Sequence, residues 1–271
     1  MLLIVDLDGV VYRGSVPVAG VAEVLRRRAA LGDTIVYVTN NSSRHRGDYL
    51  TTLAAMDLPV AEERIVTAGR ATALRLADGT GPRPRAVMVV GGPGLRRELR
   101  DRGFRVVAPT RHGLAARPEA VVVGIDRRLS YGRLAIAARA IREGARFVAT
   151  NRDPVFPAPE GLLPGAGAVV AALEVAGGRA PEVIGKPEPG LFESAARLAG
   201  VAPSSAVVIG DGLSTDIAAA HRIGARSILM LTGVTTPADL DVAPPERHPT
   251  AVAADAVELA ALLERFAAEP A

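Results

Sequence analysis

Short, unbroken apolar runs recur along the chain, and they constrain its fold more than any other feature of the sequence. Runs without polar alternation are typical of strands buried in a parallel sheet. The runs are LLIV at 2–5, TIVYV at 34–38, AVMVV at 86–90, AVVV at 120–123 and AVVI at 206–209. Amphipathic helical spacing lies between them, for example at Ala19–Leu31 and Tyr131–Glu143. Alternating strands and helices predict an α/β fold with parallel sheets and right-handed crossovers.

Two acidic residues follow the first apolar run. Asp6 comes directly after Val5, and Asp8 follows two positions later. In open α/β sheets the carboxyl ends of the strands are where ligands bind, so both side chains are expected at that edge. Carboxylates this close repel each other unless a cation lies between them, and a divalent metal ion is the usual solution. A strand that simply ends in a polar turn also explains a D-x-D string, so the pair alone leaves both interpretations open.

Composition excludes several classes of protein. With 271 residues, of which 49% are hydrophobic and 23% charged, the chain can form one large or two ordinary globular domains. No apolar run approaches the eighteen or so residues of a membrane helix, and LLIV is too short for the core of a signal peptide. The absence of cysteine excludes disulfides, zinc–thiolate sites and thiol nucleophiles. We therefore expect a cytoplasmic protein with no membrane partner.

The basic residues do not indicate nucleic-acid binding. The formal charge of +3 is small, the basic residues are spread along the chain, and aromatic residues make up only 3%. Single-strand binding needs aromatic stacking platforms. Clusters such as Arg26–Arg28 and Arg96–Arg97 lie in helix-like runs near Glu, so we interpret them as solvated helix faces. Lys186 is the single lysine among 32 basic residues, which hints that an ammonium is required there.

Polar groups also follow other predicted strands. Thr39 and Asn40 follow the second run, and Lys186 follows the short strand predicted at Glu182–Ile184. Asp211 and Asp216 lie in the loop after the strand at 206–209. If these strands share one sheet, all these groups gather in one crevice. Carboxylates there suit magnesium, and a hydroxyl, an amide and an ammonium suit a phosphate group.

Three further segments give predictions that the structure can test. Ser42 and Ser43 are candidates for capping a helix predicted at Arg44–Met56, or for binding an anion at its N-terminus. The Pro-rich stretch Thr150–Pro164 predicts a long loop, and Asp78–Pro84 predicts a linker. The glycines in GGPG at 91–94 do not fit the dinucleotide fingerprint, so a tight turn between a strand and a helix is favoured.

Four sequence motifs, taken in their order along the chain, resemble those of a known superfamily. DLDGVVYRG, VTNNSS, IGKPEP and GDGLSTDI are similar to the four motifs of the haloacid dehalogenase-like hydrolase superfamily. GIDRRLSYGRL, ATNRD, LPGAGAVVAAL and LTGVTT resemble its p-nitrophenylphosphatase-like branch, so the resemblance covers nearly the whole chain. It implies a Rossmann-like parallel-sheet hydrolase core at 1–82 and 181–271, with an inserted α/β cap domain at 83–180. The implied activity is magnesium-dependent hydrolysis of small phosphomonoesters.

The resemblance also implies a role for each residue that matches a motif. Asp6 would be the nucleophile and Asp8 the general acid/base. Thr39 and Lys186 would hold phosphoryl oxygens, with Asn40 beside them. Magnesium would be bound by the Asp6 carboxylate, the Asp8 backbone carbonyl and Asp211, with Asp216 steadying a bound water. The family loop often carries a larger or charged residue where Gly212 and Ser214 stand here, so the surroundings of the acids depart from the family's pattern.

In the cap, Asn151, Arg152 and Asp153 match the family's substrate-specificity loop, which faces the core site in the family. A turn with an Asn-type cap explains Arg152 equally well when it is taken alone. The resemblance points to sugar, polyol or carboxylic phosphates such as glycerol phosphate, and to a homodimer through the cap, although the oligomeric state stays open. The alternatives from other classes are a non-catalytic phosphate- or nucleotide-binding α/β module and, with less support, a nicotinamide oxidoreductase.

Overall fold

A computed structural model describes residues 1–79, 81–158 and 161–269. Its strands in chain order are β1 (Leu2–Asp6), β2 (Tyr12–Arg13), β3 (Val16–Pro17), β4 (Thr34–Thr39), β5 (Ile65–Thr67), β6 (Ala86–Val90), β7 (Arg105–Val107), β8 (Ala120–Val123), β9 (Arg146–Ala149), β10 (Val155–Ala158), β11 (Gly161–Pro164), β12 (Glu182–Val183), β13 (Ala206–Gly210), β14 (Arg226–Met230) and β15 (Ala251–Ala253). Its α-helices are α1 (Val21–Ala30), α2 (Asp48–Ala55), α3 (Ala68–Asp78), α4 (Pro93–Asp101), α5 (Arg111–Ala115), α6 (Tyr131–Arg142), α7 (Ala166–Gly177), α8 (Gly190–Ala199), α9 (Ala218–Arg222), α10 (Pro237–Asp241) and α11 (Ala256–Ala268). Strands and helices alternate through most of the chain, as the apolar runs predict.

The chain forms two compact units. The first unit comprises residues 1–39, 47–66 and the chain from Lys186 onward, and the second comprises 40–46 and 67–185. The chain therefore passes into the second unit twice. The short segment 40–46 belongs to the second unit, whereas the segments on either side of it belong to the first. The domain boundaries predicted at residues 82 and 181 stay a prediction, while the compact units divide at 66/67 and 185/186.

The first unit is built on a six-stranded sheet with β1 near its centre. The strand order is β15-β14-β13-β1-β4-β5, and the pairs from β15 to β4 are parallel. All five residues of β1 are buried, which explains its uninterrupted apolar sequence. In the register of β1 and β4, Asp6 lies opposite Val38. The carboxyl ends of β1, β4 and β13 therefore share one edge of the sheet.

The second unit has a five-stranded parallel sheet of its own. Its order is β12-β9-β8-β6-β7. The core under this sheet includes Met88, Val121 and Phe147 from the strands and Ile141 and Val170 from the helices. The α/β class with parallel sheets, predicted from the apolar runs, is confirmed. In the described residues, no helix is long and apolar enough to cross a membrane.

Two local predictions were wrong. Thr150–Pro164 is not a continuous loop, because β10 and β11 pair there as an antiparallel hairpin; its residues 159 and 160, and residue 80 of the predicted linker, lie outside the described residues. Ser42 and Ser43 do not cap α2, which begins only at Asp48. Ser42 instead shares a hydrogen bond of 3.0 Å with Thr150. The packing of segment 40–46 within the second unit therefore outweighs its local tendency to start a helix.

Candidate active site

Three buried carboxylates meet at the carboxyl edge of the first unit's sheet. Asp6 is the last residue of β1, Asp211 directly follows β13, and Asp216 lies in the π-helical turn at 213–217. One carboxylate oxygen from each lies within 4.8 Å of the others, and all three residues are less than 9% exposed. The structure thus brings together acids that are more than 200 residues apart in sequence.

Lys186 joins two of these acids. Its Nζ donates to Asp6 Oδ1 at 2.7 Å and to Asp216 Oδ1 at 2.7 Å. Burial opposes the charged form of Lys186, but the carboxylates of Asp216 and Asp6 outweigh this and raise its pKa. The side chain is therefore an ammonium at neutral pH. The lone lysine of the sequence is the cation of this site.

One ammonium does not neutralise three carboxylates. Burial, opposed by Lys186 but reinforced by Asp216 and Asp211, raises the pKa of Asp6 well above its ordinary value. Burial and then the charge of Asp216 raise the pKa of Asp211 to about 6. The negative charge of these buried carboxylates is therefore compensated neither by solvent nor fully by Lys186. A hard divalent cation with oxygen ligands would supply the missing positive charge, so these residues fit magnesium.

Asp211 is held by a loop whose role the sequence reasoning missed. The amide of Val234 donates to Asp211 Oδ2 at 2.8 Å, and the Thr235 hydroxyl donates to its backbone oxygen at 2.5 Å. A Cβ at Gly233 would lie 1.8 Å from Asp211 Oδ2, and one at Gly9 would lie 2.1 Å from the same atom. Gly9 also has a positive φ of 84°. The carboxylate is therefore wedged between two backbone segments that only glycine permits this close.

Asp216 is oriented from its own turn. Its Oδ1 accepts from Lys186, while its Oδ2 accepts from the Gly212 amide at 3.2 Å and the Thr215 hydroxyl at 3.1 Å. A Cβ at Gly212 would lie 2.1 Å from Thr215 Oγ1. The glycine that departs from the family's usual residue thus takes part in this turn through its backbone. Both oxygens of Asp216 already have donors, which suits an outer role near a metal better than direct ligation.

Asp8 and Thr39 are the other predicted residues of the first unit. Asp8 lies in the turn after β1 and reaches solvent, yet desolvation of its carboxyl group raises its pKa, against the lowering effect of the Gly14 amide. A raised carboxyl pKa suits a group that must carry a proton near neutral pH. Thr39 ends β4 and is buried, one position beyond the residue that pairs with Asp6.

The remaining predicted residues lie in the second unit and contact each other there. Asn40 Nδ2 donates to both carboxylate oxygens of Asp153, at 3.1 and 3.2 Å. Asn151 Nδ2 donates to the Asn40 backbone oxygen at 2.7 Å. Arg152 pairs with Glu174, and its side chain is 47% exposed. The structure therefore brings Asn40, Asn151 and Asp153 together, while Arg152 points to α7.

A second group of potential metal ligands occurs among the described residues. His45, Glu98 and Asp101 each place one ligand atom within 4.8 Å of the others. Arg46, however, donates to both acids, with its Nη2 at 3.0 Å from Asp101. His45 Nε2 lies 2.8 Å from the same Asp101 oxygen. A guanidinium already provides the positive charge, so this group is a structural ion-pair network.

The wedge around Asp211 gives a testable prediction. A Gly233→Ala variant should bind magnesium about 10–100-fold more weakly, because the new methyl group displaces the Asp211 carboxylate and such supporting changes typically cost this much. Calorimetric titration with magnesium measures the two affinities. Gly132→Ala is the matched control, since a Cβ there meets nothing within 4 Å and its φ is not in the left-handed range. Equal affinity in both variants would contradict the assignment.

Comparisons with known proteins find hydrolases and phosphatases to which the chain is similar. Residues 3–105 match the family described as haloacid dehalogenase-like hydrolase, and residues 183–259 match a second HAD-hydrolase-like family. A 5′-nucleotidase of Bacillus subtilis is 38% identical over 86% of this chain and 87% of its own. Among solved structures, a glycerol phosphate phosphatase of Mycobacterium tuberculosis in complex with magnesium is 37% identical, with a TM-score of 0.85 over 95% of this chain and 75% of its own. A p-nitrophenyl phosphatase of Archaeoglobus fulgidus is 34% identical, also with a TM-score of 0.85, over 96% of this chain and 98% of its own.

Proposed function

The chain belongs to the haloacid dehalogenase-like hydrolases, in their p-nitrophenylphosphatase-like branch, and we propose that Asp6 is the nucleophile of its reaction. It is a magnesium-dependent phosphatase of small phosphomonoesters. The observation that carries the proposed mechanism is the cluster of Asp6, Asp211 and Asp216, with oxygens within 4.8 Å of one another and Lys186 bonded to two of them.

The residues that would hold magnesium are Asp6, Asp211 and the backbone carbonyl of Asp8, with Asp216 in support. When bound, the ion supplies positive charge that offsets the repulsion between the Asp6 carboxylate and an incoming phosphate. Asp211 would bind it through the carboxylate that the backbone at Gly9 and Gly233 holds in place. In this assignment the ion would provide the positive charge that the cluster of three acids lacks.

In the first proposed step a carboxylate oxygen of Asp6 attacks phosphorus, and the bond from phosphorus to the leaving oxygen breaks. Asp8 gives its proton to that oxygen, so the alcohol leaves neutral. Lys186, bonded to Asp6 Oδ1, orients the nucleophile with its ammonium. The Thr39 hydroxyl would donate to a phosphoryl oxygen, and the Asn40 amide would lie beside it.

In the second step water attacks the phosphorus of the aspartyl-phosphate. Asp8, now ionised, accepts a proton from that water, and the bond between phosphorus and the Asp6 oxygen breaks. Inorganic phosphate leaves, Asp6 is again a carboxylate, and Asp8 is again protonated. The raised pKa of Asp8, caused by desolvation, supports its role as an acid in one step and a base in the other.

The class of substrate within this activity is a separate proposal. One relative is named for nucleotides and another for glycerol phosphate, so the family alone does not choose between them. We keep small polyol, sugar or carboxylic phosphates, glycerol phosphate among them, as the proposed class. The segment 83–180 is proposed as the cap that selects the substrate, through Asn151, Arg152 and Asp153.

Substitutions in the cap loop test that selection. Arg152→Ala and Asp153→Ala should each reorder a panel of phosphomonoesters by kcat/KM, by roughly ten-fold or more, because an unpaired buried polar group costs about 1–3 kcal/mol. Hydrolysis of p-nitrophenyl phosphate should change much less. Glu174→Ala is the control for Arg152, since it breaks the ion pair between them and keeps the guanidinium. If Glu174→Ala reproduces the effect of Arg152→Ala, the arginine acts on the structure of the loop rather than on the substrate.

Phosphate release from p-nitrophenyl phosphate tests the function itself, and its pH dependence tests the metal site. Chelation of magnesium should abolish turnover. Because the pKa of Asp211 is raised to about 6, protons compete with the metal below that pH. At limiting magnesium, activity should fall as pH decreases through about 6, and excess magnesium should move the fall to lower pH. A midpoint that does not move with magnesium would contradict the role of Asp211, and turnover in chelator would contradict the metal requirement.

We propose a cytoplasmic location, no nucleic-acid or membrane partner, and a homodimer through the cap. A non-catalytic phosphate-binding module is the alternative function. Such a module would bind phosphate without turning over p-nitrophenyl phosphate, so the same assay separates the two.

A further inference from the structure

A group of arginines lies near one acid in the second unit, and none of these residues is assigned to the reaction. Arg133 Nη2 donates to Asp126 Oδ2 at 2.7 Å, and the Arg128 amide donates to Asp126 Oδ1 at 2.9 Å. Arg96 and Arg100 on α4 complete the group. Burial and then the positive charge of Arg133 lower the pKa of Arg96, with further contributions from Arg100 and Arg128, while Asp126 opposes them. The Arg133 guanidinium thus bonds the carboxylate, and the charges of Arg96, Arg100 and Arg128 add to the positive potential near it.

Two of these guanidinium groups carry buried donors without acceptors. In residues 1–79, 81–158 and 161–269, the buried Nε atoms of Arg96 and Arg133 have no hydrogen-bond partner. A buried polar donor is normally satisfied, and an exception requires an explanation. Like charges held together with unsatisfied N–H groups are the arrangement that an oxyanion stabilises, because it accepts hydrogen bonds and neutralises charge at once.

The group lies where its fold binds ligands. The sheet order β7-β6-β8-β9-β12 is the doubly wound order in which the chain reverses direction between β6 and β8, and ligands of such sheets bind outside the carboxyl ends of the strands at that point. Asp126 follows β8, Arg96 lies near the start of α4 after β6, and Arg133 lies in the first turn of α6. The N-termini of both helices add favourable potential for an anion.

The crevice at this point is partly filled by the chain itself. Gly94 donates its N–H to the Ser43 oxygen at 3.2 Å, and a Cβ at Gly94 would lie 2.4 Å from the Arg44 carbonyl carbon. A Cβ at Gly124 would lie 2.7 Å from Ser42 Oγ. Segment 40–46 therefore covers the glycines against which a nucleotide would otherwise lie, so a ligand at this edge of the sheet must be smaller than a nucleotide.

We propose that Arg96 and Arg133 form a binding site for a small, doubly charged oxyanion at the carboxyl edge of the second unit's sheet. The shared chemistry is that of inorganic phosphate and of the phosphate group of a small metabolite. The guanidinium fork matches such oxygens in bidentate geometry. This site is independent of the proposed reaction, because its arginines belong to the second unit and no step of that reaction uses them.

Calorimetric titration of the whole protein with inorganic phosphate, without magnesium, tests the proposal. Arg96→Gln and Arg133→Gln should weaken one class of phosphate site at least ten-fold. Arg97→Gln is the matched control, because it makes the same change at the next, exposed position of the same helix, and it should leave binding unchanged. Lys186→Arg should alter only the other class, so a failure of the catalytic assignment remains distinguishable from a failure of this one.

Two further measurements decide between a ligand site and a structural role. In phosphate-free buffer Arg96→Gln should keep or raise the melting temperature, since it removes a cation from among like charges, whereas in phosphate the wild type should gain more stability than the variant. Titration with sulfate and with glycerol 3-phosphate distinguishes a free oxyanion from a phosphorylated metabolite, and binding of either supports the site. Three results would overturn the proposal. Arg96→Gln could lower the melting temperature by the same amount with and without phosphate, or Arg97→Gln could weaken phosphate binding as much as Arg96→Gln does. Chloride at the same ionic strength could also compete with phosphate as well as sulfate does.

Discussion

An Asp6→Asn variant is expected to lose at least about three orders of magnitude in phosphate release while remaining folded. An amide is a far weaker nucleophile than a carboxylate and a poorer ligand for magnesium, and removal of a covalent nucleophile costs this much or more. The shape of the side chain is almost unchanged, and its oxygen can still accept the hydrogen bond from Lys186, which measures 2.7 Å in the wild type.

Stability should move in the opposite direction from activity. Burial and the neighbouring acids raise the pKa of Asp6. In the metal-free protein, the ionised carboxylate therefore destabilises the folded state at pH values above its ordinary pKa. Replacing it with a neutral group should keep or increase the melting temperature near neutral pH. Asp241→Asn, at an exposed end of α10, is the control for the chemical change alone. Near-normal phosphate release by a folded Asp6→Asn protein would refute its assignment as nucleophile.

The sequence predicted the parts of the fold and site that depend on local pattern. The apolar runs predicted β1, β4, β6, β8 and β13 closely, because a buried parallel strand has no polar position to interrupt it. The strand-end rule then predicted that Asp6, Lys186 and Asp211 would meet. The structure places them together. Asp6 and Asp211 meet because β1 and β13 are parallel neighbours in one sheet. Lys186, however, follows β12, which belongs to the second unit's sheet, so the premise that its strand shares the sheet of β1 was wrong.

Contacts that use the backbone were not predictable in this way. The loop that holds Asp211 acts through the Val234 amide and the closeness of Gly233, and nothing in its composition signals a link to a strand end about 20 residues earlier. The same loop reaches Gly9, 223 residues away, through the Thr232 hydroxyl. The prediction for segment 40–46 failed for a related reason, because Asn40 and Ser42 bond to the distant residues Asp153 and Thr150. Ser43 bonds to Asn41 in the same segment rather than to the start of a helix. Long-range packing decided each of these cases.

Lys186→Arg is expected to lower kcat by about 100-fold or more although it conserves the positive charge, a loss typical of removing one well-placed donor from an active site. The ammonium is 4% exposed and makes contacts of 2.7 Å with two separate carboxylates. It is a compact point charge with rotatable donors, whereas a guanidinium is a broad planar fork that suits one carboxylate in bidentate geometry. In the space between Asp6 and Asp216 the fork must push the two acids apart, and one of them is the nucleophile.

A loss of this size would explain why a chain with 31 arginines among its 32 basic residues keeps one lysine, Lys186. If charge were sufficient, arginine would serve here as it does elsewhere in the molecule. Activity and melting temperature should both be measured, beside Arg222→Lys as a control, because that residue forms a partly exposed ion pair with Glu188. We expect the exposed exchange to change kcat less than two-fold, as surface ion pairs contribute roughly 0–1 kcal/mol. A folded Lys186→Arg protein with most of its activity would show that charge alone is needed and that the single lysine is an accident of composition.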